Sequence, residues 1–203
     1  MTSRSFVTDA ELWCVLLAAG GSSRLGYPKQ LLRDPIRPLL LSAVDSALSA
    51  TRGKVVVVVG AHALRMRSLL TKNFGDLPVV YNSAWEQGIS TSLQAGIGVL
   101  PQRARGALVM LTDQIRIQTS DLRRLARAWR RQPSVAIAAR YDGEIGVPAI
   151  LPRRLWPQVR QLDGDRGAKS LLVDERTRFV DIPLAAIDID TAEDRRKLED
   201  RSL

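Results

Sequence analysis

Residues 12–32 read LWCVLLAAGGSSRLGYPKQLL, and this stretch decides the fold class of the chain. Its first eight residues, 12–19, are apolar almost without interruption, which is typical of a buried strand. The run stops at Gly20-Gly21, and the loop that follows carries Arg24 and Lys29. Glycines at the end of a strand let backbone N–H groups approach a ligand, and the two cations add positive charge. The pattern predicts an α/β domain whose first loop binds the phosphates of a nucleoside triphosphate.

Two well-known phosphate loops are excluded by the spacing of these residues. A Walker A loop places Lys directly after its second Gly and follows it with Ser or Thr. Here Tyr27-Pro28 separates Gly26 from Lys29, and Gln30 follows. The dinucleotide fingerprint G-x-G-x-x-G does not occur either. A Gly-rich surface turn with solvated basic residues is the plain alternative, and the position directly after a first strand argues against it.

Strand-like and helix-like segments alternate along the rest of the chain. The predicted strands are 12–19, 54–59, 79–81, 107–111, 135–139, 179–182 and 186–189, with an extended segment at 147–151. The predicted helices are 37–50, 63–71, 90–100, 120–131, 153–162, 168–174 and 191–201. Such alternation implies right-handed crossovers and a mostly parallel sheet covered by helices on both faces. We therefore predict one Rossmann-like three-layer α/β/α domain over residues 12–203, after an N-terminal tail, 1–11, that is a candidate for disorder.

The composition of the 203 residues is that of an ordinary globular protein, with 45% hydrophobic and 25% charged residues. No apolar run approaches the ~20 residues that cross a bilayer, and the first residues lack the apolar core of a signal peptide. The single cysteine, Cys14, lies in the predicted first strand and is expected to be buried. These features predict a cytoplasmic protein without a membrane partner.

The net charge of +9 suits partners such as nucleic acid, an anionic membrane or polyanionic small molecules. Much of the excess lies in SDLRRLARAWRRQ, residues 120–132, where apolar residues recur at helical spacing. The opposite side of this helix is predicted to hold most of its arginines, which are Arg123, Arg124, Arg127, Arg130 and Arg131. A solvated helix face is the plain interpretation. Because basic and aromatic residues are not interleaved, we expect no nucleic-acid partner.

Asp113 follows the buried run LVML and is placed to hold Mg²⁺, which prefers oxygen ligands. A helix cap or a turn acid is the alternative for this residue. Asp188 and Asp190 alternate near the predicted strand 186–189, so both are expected on one face of it. Asp190 with Glu193 also fits a capping box at the start of the last helix.

Gly88, Ser90 and Ser92 fall at the N-terminus of a predicted helix, where backbone donors suit anions and polar base edges. Ordinary serine capping is the alternative. The sole histidine, His62, has no acid or cysteine at ligand spacing. The sequence therefore predicts neither a zinc site nor a Ser/His/Asp catalytic triad.

The first loop resembles the signature of the molybdenum-cofactor nucleotidyltransferases, the cytidylyltransferases with a MobA-like NTP transferase domain. That signature is L-A-[AG]-G-x-S-x-R-[ML]-G-x-x-K. Its positions are matched by Leu17, Ala18, Ala19, Gly20, Ser22, Arg24, Leu25, Gly26 and Lys29. The resemblance implies a GT-A-like nucleotidyltransferase fold and a loop, including Gly21 and Ser23, that wraps the triphosphate. It also implies Arg24 and Lys29 as the catalytic residues that stabilise phosphate charge.

Later segments resemble further motifs of the same family, in the same order. The pattern N-x-x-W-x-x-G-x-x-x-S-L matches at Asn82, Trp85, Gly88, Ser92 and Leu93, and implies contact with the base and ribose. The pattern GD-Q-P implies Asp113 as a metal ligand, and DIDTP-E-D implies Asp190 as the second. The acceptor side is implied for Gly146, Pro148, Gly164, Asp165 and Gly167. Ile115 and Ala192 replace family prolines, and we expect the loss at Ile115 to loosen its turn.

The resemblance implies Mg²⁺-dependent transfer of CMP from CTP to molybdenum-loaded molybdopterin, with release of pyrophosphate. In this family Ala at position 19 goes with CTP and Gly with GTP. A molybdoenzyme or its chaperone would receive the product. The alternatives are a guanylyltransferase using GTP, a cytidylyltransferase acting on a sugar or isoprenoid phosphate, and a nucleotide- or nucleic-acid-binding protein without catalysis.

Overall fold

The computed structural model describes residues 11–34, 36–173, 176–189, 191, 193–194 and 196. The strands in this part of the chain are β1 (Glu11–Ala18), β2 (Val55–Val59), β3 (Val79–Tyr81), β4 (Ala104–Leu111), β5 (Ile137–Tyr141), β6 (Glu144–Pro152) and β7 (Arg178–Asp181). The α-helices are α1 (Leu39–Thr51), α2 (Ala63–Phe74), α3 (Ile89–Gly98), α4 (Thr119–Arg131) and α5 (Trp156–Val159). Short 3-10 helices lie at Lys29–Leu31, Trp85–Gln87, Arg153–Leu155, Ala168–Leu171 and Pro183–Ala186.

The strands form one sheet in the order β3-β2-β1-β4-β6-β5-β7. Neighbouring strands run parallel except at β6, which is antiparallel to both β4 and β5. The predicted mostly parallel α/β sheet is confirmed. Its consequence is that β1, β2, β3 and β4 end along one edge, where ligands bind in open sheets of this kind.

Side chains of β1 alternate between two hydrophobic layers, which explains why its sequence is apolar throughout. Cys14 and Leu16 pack into the layer covered by α1, α2 and α4, whereas Val15 and Leu17 pack into the layer covered by α3 and α5. The predicted three-layer arrangement is therefore observed. Cys14 is fully buried, as expected, and this burial raises the pKa of its thiol.

The antiparallel part of the sheet is a hairpin between β5 and β6. Asp142 and Gly143 connect the strands with left-handed φ angles of 49° and 77°, and such a pair closes a two-residue turn. Asp-Gly between two β-prone runs is the sequence signal for this turn. The segments predicted at 135–139 and 147–151 are thus partners in one hairpin, and the second is a full strand.

Three predictions for the C-terminal third need correction. The strand at 186–189 is wrong, because Pro183 starts a 3-10 helix instead of continuing the sheet. The helix at 153–162 is a 3-10 turn followed by the single turn of α5, which carries Pro157 near its start. The helix at 168–174 is a 3-10 helix of four residues. The predicted last helix, 191–201, lies mostly outside the described residues.

At the N-terminus, β1 begins at Glu11, so this last residue of the predicted tail belongs to the sheet. Residues 1–10 lie outside the described part. Among the helices that the structure describes, none is both long and apolar enough to cross a membrane.

Candidate functional site

A cavity of about 560 Å³ opens at the carboxyl ends of β1 and β4, beside the N-terminus of α3. Its volume is in the range of small-molecule sites. The predicted site residues that line it are Leu17, Ala19, Gly20, Gly21, Ser23, Arg24, Lys29, Gly88, Ser92, Asp113 and Asp165. The predicted residues outside its lining are Ala18, Ser22, Gly26, Asn82, Gly146, Pro148, Gly164 and Gly167. Asp190 is outside the described residues.

Ser22 organises the loop after β1 rather than lining the cavity. Its carbonyl accepts the N–H groups of Leu25 (3.0 Å) and Gly26 (3.2 Å), and its Oγ accepts the N–H of Lys29 (3.1 Å). Gly26 needs its left-handed φ of 67° to complete this turn. A Cβ at Gly20 would meet no atom within 4 Å. The loop is therefore held in shape by internal hydrogen bonds while its cavity side stays open.

Gln30 is a functional candidate that sequence reasoning did not single out. It is only 1% exposed, and its Nε2 donates to the carbonyls of Ala18 (3.1 Å) and Gly20 (2.9 Å). The side chain thus ties the end of the loop to the end of β1. The sequence feature that could have indicated a buried role for Gln30 is its position directly before two leucines.

Lys29 and Asp113 meet in the cavity although 84 positions separate them. Lys29 Nζ forms an ion pair with Asp113 Oδ2, and the two side chains are 17% and 12% exposed. Asp113 Oδ1 is buried and has no hydrogen-bond partner in the part of the chain that the structure describes. A buried carboxylate oxygen without a donor is costly, and a cation bound there relieves that cost.

Asp113 therefore fits a Mg²⁺ ion, which typically takes one or two carboxylates together with phosphate oxygens of the substrate. No group of three or more His, Cys, Asp or Glu side chains with metal-binding geometry occurs among the described residues. A metal at Asp113 would thus depend on oxygens of a bound ligand for much of its coordination.

The N-terminus of α3 is docked directly onto the loop at 163–165. Ser90 N–H donates to the carbonyl of Gly164 (3.1 Å), and a Cβ at Gly88 would lie 2.3 Å from that same carbonyl group. Gly88 also has a φ of 112°, a conformation that favours glycine. Both the lack of space and the backbone conformation therefore require glycine at this position. This contact joins a segment predicted for the nucleotide to one predicted for the acceptor, and it brings Asp165 to the cavity.

Asn82 positions Ser92 without reaching the cavity itself. Its Nδ2 donates to the hydroxyls of Thr91 (2.8 Å) and Ser92 (3.0 Å), and its Oδ1 accepts the N–H of Ala84 (3.0 Å). Trp85 lines the cavity and packs tightly on Gly21. A Cβ added to Gly21 would lie only 2.9 Å from the indole ring of Trp85. The residues of the pattern around Asn82 thus hold the first turn of α3 in place through hydrogen bonds.

Gln114 links the end of β4, next to Asp113, to the segment that was predicted to bind the acceptor. Its Nε2 donates to the carbonyls of Val147 (2.8 Å) and Ala185 (3.0 Å), so one amide holds β6 and the 183–186 turn against the end of β4. Val147 lies between Gly146 and Pro148, which do not line the cavity. These two predicted acceptor residues are therefore tied to the site through the backbone beside them.

The turn at Ile115, which the loss of the family proline was expected to loosen, contains a backbone hydrogen bond. Ile115 N–H donates to the carbonyl of Asp113 (2.9 Å), a bond that proline cannot form. Its side chain packs on the small cluster of Leu25, Leu32, Leu39 and Ile189. The isoleucine thus replaces the rigidity of a proline ring with a hydrogen bond and an apolar contact.

Asp188 lines the cavity, but not by the strand alternation that was predicted for it. The chain reaches it through the 183–186 turn, and the neighbouring Ile189 anchors it by packing near Leu25. Thr191 and Asp194 exchange the hydrogen bonds of a capping box. The pairing predicted between Asp190 and Glu193 lies partly outside the described residues.

A sequence model of the MobA-like NTP transferase domain matches residues 14–179. The probable molybdenum cofactor guanylyltransferase of Rhodopirellula baltica is 28% identical over 165 residues, which are 78% of this chain and 71% of that protein. The molybdenum cofactor cytidylyltransferase of Escherichia coli K12 is 24% identical over 187 residues, 89% of this chain and 92% of that one. The bifunctional enzyme IspD/IspF of Solidesulfovibrio magneticus is 35% identical over 171 residues, 79% of this chain and 39% of that longer protein.

Among solved structures, Rv0371c of Mycobacterium tuberculosis H37Rv is 29% identical, with a TM-score of 0.77 over 94% of this chain and 98% of its own. A manganese complex of the same protein superposes with a TM-score of 0.75, at 27% identity over 94% of this chain and 99% of that one. The matched domain spans most of the sequence, and the sheet and its helices agree with these structures. The chain therefore belongs to the MobA-like NTP transferase domain family and is a nucleotidyltransferase.

Proposed function

We propose that this nucleotidyltransferase moves CMP from CTP to the phosphate of molybdenum-loaded molybdopterin, with Mg²⁺ as its metal. The observation that carries the proposal is the meeting of Lys29 and Asp113 in a cavity whose wall is the glycine loop after β1. A cation, a carboxylate and a glycine-rich loop whose backbone N–H groups can approach the phosphates are what a metal-bound triphosphate requires.

The charges around the cavity support the use of a divalent metal. The lining carries two cations, Arg24 and Lys29, and the carboxylates of Glu86, Asp113, Asp165 and Asp188. A triphosphate has several negative charges of its own, so these carboxylates would repel it. A divalent ion held by Asp113 would offset part of that repulsion by its positive charge.

The proposed reaction needs no catalytic base, because a phosphate is already a nucleophile at neutral pH. An oxygen of the acceptor phosphate bonds to the α-phosphorus, and the bond from that phosphorus to the β-phosphate bridge breaks. Pyrophosphate leaves with the bridging electron pair. Mg²⁺, when bound, neutralises charge on the phosphate oxygens.

Arg24 and Lys29 are proposed to stabilise the charge that grows on the leaving pyrophosphate. Lys29 N–H donates to Ser22 Oγ, so a hydrogen bond within the loop positions the backbone that carries this cation. Gly88, Ser92 and the backbone at 19–21 are proposed to orient the nucleotide, and Asp165 to face the acceptor. Orientation of this kind supplies much of the rate in phosphoryl-type transfers.

The choice of CTP rests on Ala19, which lines the cavity at the end of β1. Its carbonyl accepts the N–H of Ala61 (2.9 Å), so its position is set by the adjoining strand end. The relatives named for cytidylyl and guanylyl transfer to the molybdenum cofactor support the acceptor class, whereas the IspD/IspF relative favours a different phosphorylated acceptor.

The test measures pyrophosphate release by the purified protein with Mg²⁺ and molybdenum-loaded molybdopterin, with CTP, GTP and ATP in parallel. We expect release with CTP, and a shift of preference towards GTP in the Ala19→Gly variant. Release with GTP alone would keep the mechanism and overturn the assignment of the base.

The identity of the acceptor is tested by replacing molybdopterin with a sugar 1-phosphate and with a phosphorylated methylerythritol. Faster release with either would overturn the pterin assignment. Folded protein that binds nucleotide but releases no pyrophosphate with any acceptor would overturn the proposed catalysis.

A further inference from the structure

A second cavity, of about 530 Å³, is lined by arginines and lies outside the site described above. Its wall is formed by the C-terminal end of α1, with Ser49 and the C-cap residue Arg52, and by one face of α4, with four arginines. Those four are Arg123, Arg127, Arg130 and Arg131. We call it the arginine cavity.

The arginine cavity lies at the edge of the sheet opposite the proposed active site. Both helices run away from the carboxyl ends of the strands. α1 ends at Thr51, just before β2 starts at Val55, and α4 ends at Arg131, shortly before β5 starts at Ile137. A ligand bound here leaves the nucleotide cavity open.

Three of the arginines form a regular row. Arg123, Arg127 and Arg131 recur every fourth residue of α4, so they share one stripe about 12 Å long. The guanidinium of Arg123 donates to Ser49 Oγ (2.6 Å), which anchors the row to α1. Arg124 of the same helix bonds to Asp121 instead and does not line the cavity. The row is thus a concave feature between two helices as well as a charged helix face.

The ligand has to bring negative charge. No Asp or Glu occurs among the described residues that line the arginine cavity. The whole chain carries a net charge of +9, so a second copy would be repelled from this surface. The lining contains no aromatic side chain for stacking a nucleobase and no large apolar side chain for insertion into a bilayer.

We propose that the arginine cavity docks an acidic segment of a partner protein, with carboxylates spaced to pair with the row Arg123, Arg127 and Arg131. Guanidinium groups bind carboxylates through two parallel hydrogen bonds, which gives such a row directional specificity. Docking at this edge holds a partner on the enzyme while the proposed active site continues to turn over.

The test uses fluorescence anisotropy with a labelled 12-residue peptide of alternating Glu and Ala, titrated with the full chain at low salt. The triple variant Arg123→Gln, Arg127→Gln, Arg131→Gln is compared with Arg65→Gln, Arg67→Gln, Arg160→Gln. Both triples remove three positive charges from exposed positions, and the second lies outside the arginine cavity. We expect the first to weaken peptide binding at least about tenfold and the second less than about threefold.

Equal losses in the two triple variants would overturn the proposal, because they would indicate attraction by net charge alone. Tighter binding of a single-stranded oligonucleotide or of inorganic polyphosphate, with the same dependence on the row, would overturn the acidic protein segment as the ligand. The thermal midpoint and nucleotide-dependent pyrophosphate release report on folding. If the first triple variant is unstable, the single exposed substitution Arg127→Gln takes its place, with Arg67→Gln as its control.

Discussion

Lys29 and Asp113 form an ion pair in which Lys29 Nζ bonds Asp113 Oδ2, while the buried Oδ1 has no donor among the described residues. A bound phosphate competes for the lysine, and a bound cation competes for the aspartate. Under the proposed function, the two residues would exchange this contact for contacts with the phosphates and the metal. Their partial burial makes each of those contacts stronger than it would be on the surface.

Replacing Lys29 with Ala should lower kcat for pyrophosphate release by about 10²–10³, the range typical of removing one donor that stabilises developing charge. Lys54→Ala is the matched control, because Lys54 pairs with Glu11 at the opposite edge of the sheet. Steady-state kinetics and a circular dichroism melt are measured on both variants. Near-normal turnover in a folded Lys29→Ala protein would remove this lysine from the mechanism.

Gln114→Leu should destabilise the protein by about 1–3 kcal/mol, because the carbonyls of Val147 and Ala185 lose their shared donor. Gln102→Leu is the control, at an exposed position. The measurement is the midpoint of urea unfolding. A lower midpoint with an unchanged m-value would report the loss of stability. If both variants unfold at the same urea concentration as the parent protein, the amide is not a structural link between these segments.

At the scale of elements, α3 approaches the sheet more closely than an ordinary helix. A Cβ at Gly96 would lie 2.3 Å from Val15 Cγ1 and 2.9 Å from Val58 Cγ2, so the helix rests on β1 and β2 through a bare backbone. This close packing sets the depth of the whole helix against the sheet. It also positions the N-terminus of α3, with Gly88 and Ser92, at the wall of the cavity at the carboxyl ends of β1 and β4.

The paired variants Gly96→Ala and Gly98→Ala test this packing within one helix. Gly96→Ala should cost about 1–3 kcal/mol, because it overpacks the core. Gly98→Ala should be neutral or stabilising by up to about 1 kcal/mol, since a Cβ there meets no atom within 4 Å. Chemical denaturation of both variants provides the free energies of unfolding. Equal changes in the free energy of unfolding in the two variants would contradict the close contact of Gly96 with the sheet.

At the scale of the whole molecule, β1 is an interior strand with β2 on one side and β4 on the other. Cys14 lies in this strand and is fully buried. Burial raises the pKa of its thiol, so the reactive thiolate is scarce in the folded state. Exposure of this side chain requires the central strands to separate, which amounts to global unfolding.

The thiol of Cys14 should therefore resist Ellman's reagent in the native protein and react fully in denaturant, with one equivalent per chain. Labelling rates at low denaturant should yield the same free energy as the global unfolding curve. The Cys14→Ala variant, which has no other cysteine, provides the blank. Rapid labelling of the native protein would show that β1 opens locally.

Sequence reasoning succeeded where one local pattern has one physical outcome. Uninterrupted apolar runs such as 12–19 and 55–59 can only be buried on both faces, and their alternation with amphipathic helices such as α4 leads to a layered, mostly parallel sheet. The glycine loop and Asp113 both follow predicted strands, and they share one edge of the sheet because parallel strands end together. Those features were determined by the sequence alone.

Tertiary structure decided what depends on distant partners. No local signal pairs Lys29 with Asp113, ties Gln114 to two remote carbonyls, or sets Gly88 against Gly164. Asp188 reaches the cavity from an irregular segment whose path is set by the packing of Ile189, where strand alternation gave the wrong geometry. The arginines of α4 were correctly predicted to face outward, but their convergence on α1 appears only once both helices pack on the sheet. Periodicity specifies which side of an element is buried, whereas the contacts between elements depend on how the whole chain packs.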